Sequence, residues 1–265
     1  MSLTEYAIQA TLGGKKETAN EPWPDDVILY QQYQVEQITL PDYAQCLAVE
    51  TFLHMCGLKF RVEQRTNAEE MSPSGRKVPF IQVGPYLVSE FEPVVGFVNT
   101  KGFYLTKDMP DTERSEMRAY MSMIENIMGN AELYLAWLNT DIANEVTKPR
   151  YGCSYPWPLN WILPWRKQRD IRAKLKANEW AVKSLEEVCE EVKICCQALS
   201  ERLEKKQFFF GDHPTELDAL VFGHLYTIVT TILPGGHFTA VVQEFPNLAQ
   251  FCKRIEDKYF KLGFD

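Results

Sequence analysis

Histidine and cysteine are the residue types that could bind a metal or act as nucleophiles, and their spacing here supports neither role. The four histidines share no spacing typical of metal ligands: His54, His213, His224 and His237. The seven cysteines form no CxxC pair; they lie at positions 46, 56, 153, 189, 195, 196 and 252. No serine or cysteine is paired with a base in a recognisable nucleophile pattern. The sequence therefore predicts reduced thiols and no metal, cofactor or catalytic residue.

The composition is that of an acidic, well-packed globular protein. It has 265 residues, of which 45% are hydrophobic, and a formal net charge of −8. Binding to nucleic acid requires a basic face, so the charge balance argues against it. The most apolar stretch, residues 219–233, is interrupted by His224 and three threonines and is shorter than the roughly 20 residues of a membrane span. No membrane anchor is predicted.

Residues 26–100 predict a thioredoxin-like α/β unit. The pattern begins with a strand (VILYQQY), a helix (YAQCLAVETFLHMC) and a second strand (LKFRVEQR). An irregular segment (TNAEEMSPSGRK) follows, then a hairpin (VPFIQV with YLV) and a helix that reaches Asn99. Ser89 and Glu92 are expected to form the capping box of that last helix. The sequence predicts a flexible N-terminal tail at 1–25 and a linker at 101–111.

Residues 112–265 predict an all-helical domain. Apolar residues recur at intervals of three and four from Met117 to Leu135, and the glycine- and proline-free run 166–207 keeps much the same period. Thr215 and Asp218 have the spacing of a capping box and precede the most apolar helix, which we expect to nucleate the helical core.

A tryptophan- and proline-rich insert, residues 151–165, is the best candidate for an interface. Its three prolines exclude one regular helix, and aromatic side chains often anchor interfaces. A basic run follows at 166–176, with Asp170 as its one acid. The candidate partner or membrane interface consists of Tyr155, Trp157, Trp161, Leu163, Trp165, Arg166, Lys167 and Arg169. The alternative is that the tryptophans pack onto the bundle and the charges form a solvated helix face; the sequence favours neither.

The thioredoxin-like unit with Val-Pro before a hairpin, joined to helices with a buried capping box, resembles the glutathione transferase fold. The resemblance implies that Pro79 is cis and that an acidic–serine pair begins the third helix, where it binds a carboxylate of glutathione. Here Glu90 is followed by Phe91, and Leu40 lies where a thiol-activating serine or cysteine is expected. Tyr30 and Tyr33 remain as phenol donors, so loss of the glutathione chemistry is the expectation and a glutathione-dependent transferase or peroxidase is the alternative.

Four segments resemble the metaxins in order and spacing: EPWPDDVILYQQ, NAEEMSPSGRKVPFIQVG, YGCSYPWPLNWIL and PTELDALVFGHLYTI. The resemblance implies a non-enzymatic, peripheral protein on the cytosolic face of the mitochondrial outer membrane. It implies a heterodimer with a metaxin-1-like protein, beside the β-barrel core subunit of the sorting and assembly machinery that inserts β-barrel proteins. It also implies links to Miro GTPases and motor adaptors in mitochondrial trafficking. A lipid-binding module that works alone is a third, weaker possibility, because the single insert would supply all the affinity.

Overall fold

A computed structural model describes residues 22–34, 36–75 and 77–261. The predicted flexible tail, 1–25, therefore lies largely outside the described residues. A four-stranded sheet forms first, in the order β2-β1-β3-β4, with β1 parallel to β2 and antiparallel to β3. Its strands are β1 (Ile28–Gln31), β2 (Arg61–Gln64), β3 (Phe80–Val83) and β4 (Tyr86–Ser89). Helices α1 (Leu40–Met55), α2 (Ala68–Met71) and α3 (Phe91–Thr100) complete this unit.

The remainder of the described chain is helical. After residues 101–110 it forms α4 (Asp111–Trp137), α5 (Thr140–Ile142), a π-helical segment (Ala143–Thr147), α6 (Lys148–Gly152) and α7 (Leu159–Ala177). A 3₁₀ turn (Trp180–Val182) leads to α8 (Leu185–Leu203), α9 (Glu216–Thr230), α10 (His237–Gln243) and α11 (Pro246–Tyr259). The predicted fold class, a thioredoxin-like unit followed by an all-helical domain, is confirmed.

Three local predictions need correction. Ser89 does not cap α3: its hydroxyl contacts that of Ser74, and Glu90 is at the N-cap position without a side-chain cap bond. The run 166–207 is divided between two helices, because Ser184 and Glu187 form a capping box that begins α8. The exclusion of one regular helix holds for the insert as a whole, since residues 153–158 separate α6 from α7, but it does not extend to residues 159–165, which are helical with Pro164 inside α7.

One apolar core extends from the sheet into the helical domain, and α1 and α9 join the two at close range. Ala44 and Ala48 of α1 face Gly223 of α9, and all three are buried. A Cβ atom on Gly223 would lie 2.5 Å from the carbonyl oxygen of Ala44 and 2.7 Å from the backbone nitrogen of Ala48. The two backbones can approach this closely because residue 223 has no side chain.

The start of α9 is held by a buried carboxylate. One oxygen of Asp218 accepts bonds from the backbone nitrogen and the hydroxyl of Thr215, at 2.8 Å and 2.6 Å. The other accepts from the backbone nitrogen of Phe209 at 2.9 Å. Burial raises the pKa of Asp218 to about 6, and these bonds oppose the rise. The carboxylate is therefore ionised at neutral pH and ties the preceding loop to the helix.

We expect Asp218→Asn to lower the free energy of unfolding by about 1–2 kcal/mol, because an amide offers one acceptor oxygen where the carboxylate satisfies two buried N–H groups. Urea denaturation followed by circular dichroism measures the change. Asp212→Asn, an exposed substitution in the same loop, is the matched control. Equal midpoints for the two variants would contradict the role assigned to Asp218.

Candidate functional site

A cavity of about 380 Å³ lies between the thioredoxin-like unit and the helical domain and is lined by residues of both. It lies beside the Val78–Pro79 peptide bond, which is cis. Its described lining residues are Pro41, Asp42, Gln45, Lys77, Val78, Glu90, Phe91, Glu125, Gly129, Glu132, Leu133, Trp137, Lys167, Ile171, Lys174 and His224. None of these is a serine, threonine, tyrosine or cysteine. The described wall therefore offers no hydroxyl or thiol that could activate the sulfur of a bound thiol substrate.

Phe91 occupies the position at which a ligand-binding serine is expected. Its side chain is 1% exposed and packs edge to face on Phe52, with ring centroids 5.9 Å apart. The preceding Glu90 has a φ of 72°, a conformation that residues with side chains rarely adopt. Its carboxylate accepts a bond from the ammonium group of Lys77 at 2.6 Å. The strained turn of a ligand site is thus present, whereas its hydroxyl donor is replaced by a buried ring.

The other candidates for thiol activation point elsewhere. Leu40 is buried at the first position of α1. The Tyr30 hydroxyl donates to Gln82 at 3.2 Å, and its ring stacks on Phe80. Tyr33 is exposed, and neither tyrosine lines the cavity. The two phenols are therefore not placed to act on a ligand in the cavity.

Buried charge lines the inner part of the cavity. Glu132 and His224 are 0% and 1% exposed, and His224 Nδ1 lies 2.8 Å from Glu132 Oε1. Burial raises the pKa of Glu132, and the nearby His224 opposes the rise. At the rim of the cavity, partial desolvation raises the pKa of Glu125 and lowers that of Lys174, although both residues are exposed. His224, which has no partner in the sequence pattern, is thus half of a buried pair. Within the part of the chain that the structure describes, no group of histidine, cysteine or acidic residues could hold a metal ion.

A second candidate site is the tryptophan surface, which we define as Trp157, Leu159, Trp161, Ile162 and Trp165. The three indole side chains are 84%, 72% and 53% exposed, and the two aliphatic residues are also exposed. Such a concentration of exposed aromatic area is unusual for a surface that contacts only water. The alternative that these tryptophans pack onto the bundle is wrong.

The rest of α7 holds this surface in place from behind. Pro164 is buried, and Leu163 packs against the main core. Pro164 has no N–H group to donate to the carbonyl oxygen of Asn160. That oxygen instead faces Gly152, and a Cβ atom on residue 152 would lie only 2.4 Å from it. The amide of Gln168 donates to the carbonyl of Trp137 at 2.7 Å. Trp161 and Trp165 therefore project from a helix that is anchored on its opposite face, and Trp157 lies two residues before that helix.

The structure separates the polar candidates of the insert into two groups. Arg166 and Arg169 lie near the tryptophans and contact Asp170, and the Arg169 guanidinium lies 5.5 Å from the Trp165 ring centroid. Lys167 instead turns inward and donates to the buried Glu69 at 2.8 Å. Tyr155 contacts Glu70 through its hydroxyl, at 3.1 Å. Leu159 and Ile162 were missed by the sequence analysis, although helical spacing with Trp165 could have indicated them.

Among the helices of the described residues, none combines the length and the apolar character needed to cross a membrane.

Several solved structures that superimpose on this chain are glutathione transferases. One from Ceriporiopsis subvermispora, in complex with glutathione, superimposes with a TM-score of 0.56 at 11% identity over 90% of this chain and 99% of that one. Transferase F7 from Populus trichocarpa gives 0.55 at 14% identity, over 89% and 96%. A family model described as the glutathione S-transferase C-terminal domain matches residues 192–255. The chain thus has the glutathione transferase fold.

Sequence relatives place it more narrowly within that fold. Human metaxin-2 is 51% identical over 92% of both chains, and the metaxin-2 homolog of Caenorhabditis elegans is 39% identical over 87% of this chain and 99% of that one. Mouse metaxin-1 is 29% identical over 81% and 69%. A model described as outer mitochondrial membrane transport complex protein matches residues 46–168. The chain belongs to the metaxin family, and the resemblance noted in the sequence is confirmed.

Proposed function

We propose that this protein is a non-enzymatic subunit of the sorting and assembly machinery of the mitochondrial outer membrane. In this role it supports the insertion of β-barrel proteins together with a metaxin-1-like partner, from the cytosolic face. Similarity to metaxin-2 along 92% of the chain is the observation that carries the proposal. The matching family description names an outer-membrane transport complex, which supports the location.

The tryptophan surface is the proposed docking element. Indole rings suit a boundary that is apolar on one side and wet on the other, and such rings anchor many protein interfaces. Arg166 and Arg169 beside them add charge that would favour an acidic patch on a partner or anionic headgroups. Because α7 is anchored from behind, the surface is rigid before it meets its partner, which lowers the entropic cost of docking.

Affinity purification from mildly solubilised mitochondria tests the assignment. The tagged protein should recover a metaxin-1-like protein and the β-barrel core subunit of the machinery. Miro GTPases in the same eluate would support the trafficking role, which rests on the resemblance alone. Recovery of neither assembly component would contradict the proposal.

The mode of attachment gives a second expectation. A protein held through an exposed surface, with a body of net charge −8, should leave mitochondria in alkaline carbonate. The carbonate supernatant is compared with the pellet by immunoblotting, and a membrane-spanning outer-membrane protein in the pellet is the control. Retention of the chain in the pellet would show that it is embedded in the membrane.

The fold of the solved neighbours favours one alternative, a glutathione-dependent transferase or peroxidase. The described cavity wall, with Phe91 and without a hydroxyl or thiol, argues against it. Retention on immobilised glutathione, together with conjugation of a generic electrophile, decides between the two. We expect neither, and clear turnover by the purified protein would overturn the non-enzymatic assignment.

A further inference from the structure

We propose that the cavity between the two domains is a binding site for a small organic cation, an alkylammonium or guanidinium group, held by Glu132 and Glu125. This site is independent of the tryptophan surface and of the assembly role.

Glu132 supplies the first observation. It is fully buried and lines the cavity, and one of its oxygens contacts His224. Its other oxygen, Oε2, has no hydrogen-bond partner among the described residues. A buried carboxylate oxygen without a donor is costly, and a donor inside the cavity would remove that cost.

The contacts around His224 leave Glu132 Oε2 as the open atom of the pair. The amide nitrogen of Gln45 lies 3.3 Å from His224 Nε2, and His224 Nδ1 lies 2.8 Å from Glu132 Oε1. Both ring nitrogens are therefore engaged by other protein groups, and neither bonds to Oε2.

Helix α4 presents a second carboxylate to the same space. Glu125, Gly129 and Glu132 follow at spacings of four and three residues, which places them on one face of the helix. A Cβ atom at Gly129 would meet nothing within 4 Å. The cavity therefore reaches the helix backbone between the two carboxylates, where an elongated cation could contact both.

The remaining charges of the lining favour a cation over an anion. Lys77 is paired with Glu90 at 2.6 Å and Lys167 with Glu69 at 2.8 Å, so these two lysines are already neutralised within the protein. The described lining then has three further carboxylates, those of Asp42, Glu125 and Glu132, and one further lysine, Lys174. This excess of carboxylate disfavours glutathione, whose net charge is negative.

The apolar part of the lining suits a hydrocarbon stem. Phe91, Leu133, Trp137 and Ile171 form this part, and a cavity of 380 Å³ falls in the range of small-ligand sites. An amine with a stem of four or five carbons would bury the stem there and direct its charged end to α4.

Isothermal titration calorimetry of the full chain with pentylammonium and agmatine tests the site, with 1-pentanol, pentanoate and glutathione as comparison ligands. We expect saturable binding of the two cations and none of the comparison ligands. Glu132→Gln should weaken cation binding by about tenfold or more, since a charge-assisted hydrogen bond contributes about 1.5–3 kcal/mol.

Gly129→Leu fills the cavity without changing a carboxylate and should abolish binding, whereas Gly129→Ala should leave it within about threefold. These two variants decide the question if Glu132→Gln fails to fold. Equal binding of 1-pentanol, binding of glutathione in place of the cations, or cation binding unaffected by Gly129→Leu would overturn the proposal. The absence of any saturable heat would do the same and would indicate a cavity filled by water.

Discussion

Replacing Trp157, Trp161 and Trp165 together by alanine is expected to release the protein from mitochondria and to leave it folded. The three side chains are exposed and therefore contribute little to the core. Each anchor of a true interface contributes about 2 kcal/mol or more, so the triple change should weaken docking by far more than a fractionation assay needs to detect. Fractionation of mitochondria from cytosol measures the release, and circular dichroism of the purified variant measures folding.

Val182, Ile194 and Ile232 provide a matched control, because they too are exposed apolar residues of the helical domain. Their joint replacement by alanine should leave the protein on mitochondria. A tryptophan variant that unfolds would show that the indoles stabilise the fold. One that stays folded and bound would place the docking surface elsewhere.

Gly223→Ala is expected to lower the free energy of unfolding by about 1–2 kcal/mol. The added methyl group would lie within 2.8 Å of atoms of Ala44 and Ala48, two of which are backbone atoms that no side-chain rotation can move. Overpacking of this kind costs about 1–3 kcal/mol or more, and it outweighs the gain of about 1 kcal/mol that alanine brings to a helix interior. Chemical denaturation followed by tryptophan fluorescence measures the change.

Gly129→Ala is the matched control, since it makes the same chemical change in another helix where the new Cβ atom meets nothing. It should raise the free energy of unfolding by about 0.5–1 kcal/mol through helix propensity. Opposite signs for the two substitutions would support close contact between α1 and α9. A stabilising effect at both positions would contradict it.

Local patterns in the sequence were sufficient to predict the fold class. The alternation in β2 and the apolar period of α4 are short-range signals, and each element follows from them. The break before α8 was missed although Ser184 and Glu187 carry a capping-box signal, because the helical period continues across it. Pro164 misled the prediction for α7, because helices accommodate a proline where a neighbouring residue leaves room for the displaced carbonyl.

The cavity charges could not be predicted from the sequence. Glu132 and His224 are 92 positions apart, and their contact depends on how α4 packs against α9. No local pattern marks such a pair. Exposure of the tryptophans was equally undetermined, because whether an aromatic residue faces the core or solvent depends on the orientation of its helix.

The central claim is tested most directly by the assembly of a radiolabelled β-barrel precursor into mitochondria depleted of this protein. We expect assembly of the precursor to slow upon depletion and to recover when the wild-type chain is restored, while import of a matrix-targeted precursor proceeds normally. Assembly of the β-barrel precursor at an undiminished rate, or an equal defect for the matrix precursor, would contradict a role in outer-membrane β-barrel insertion.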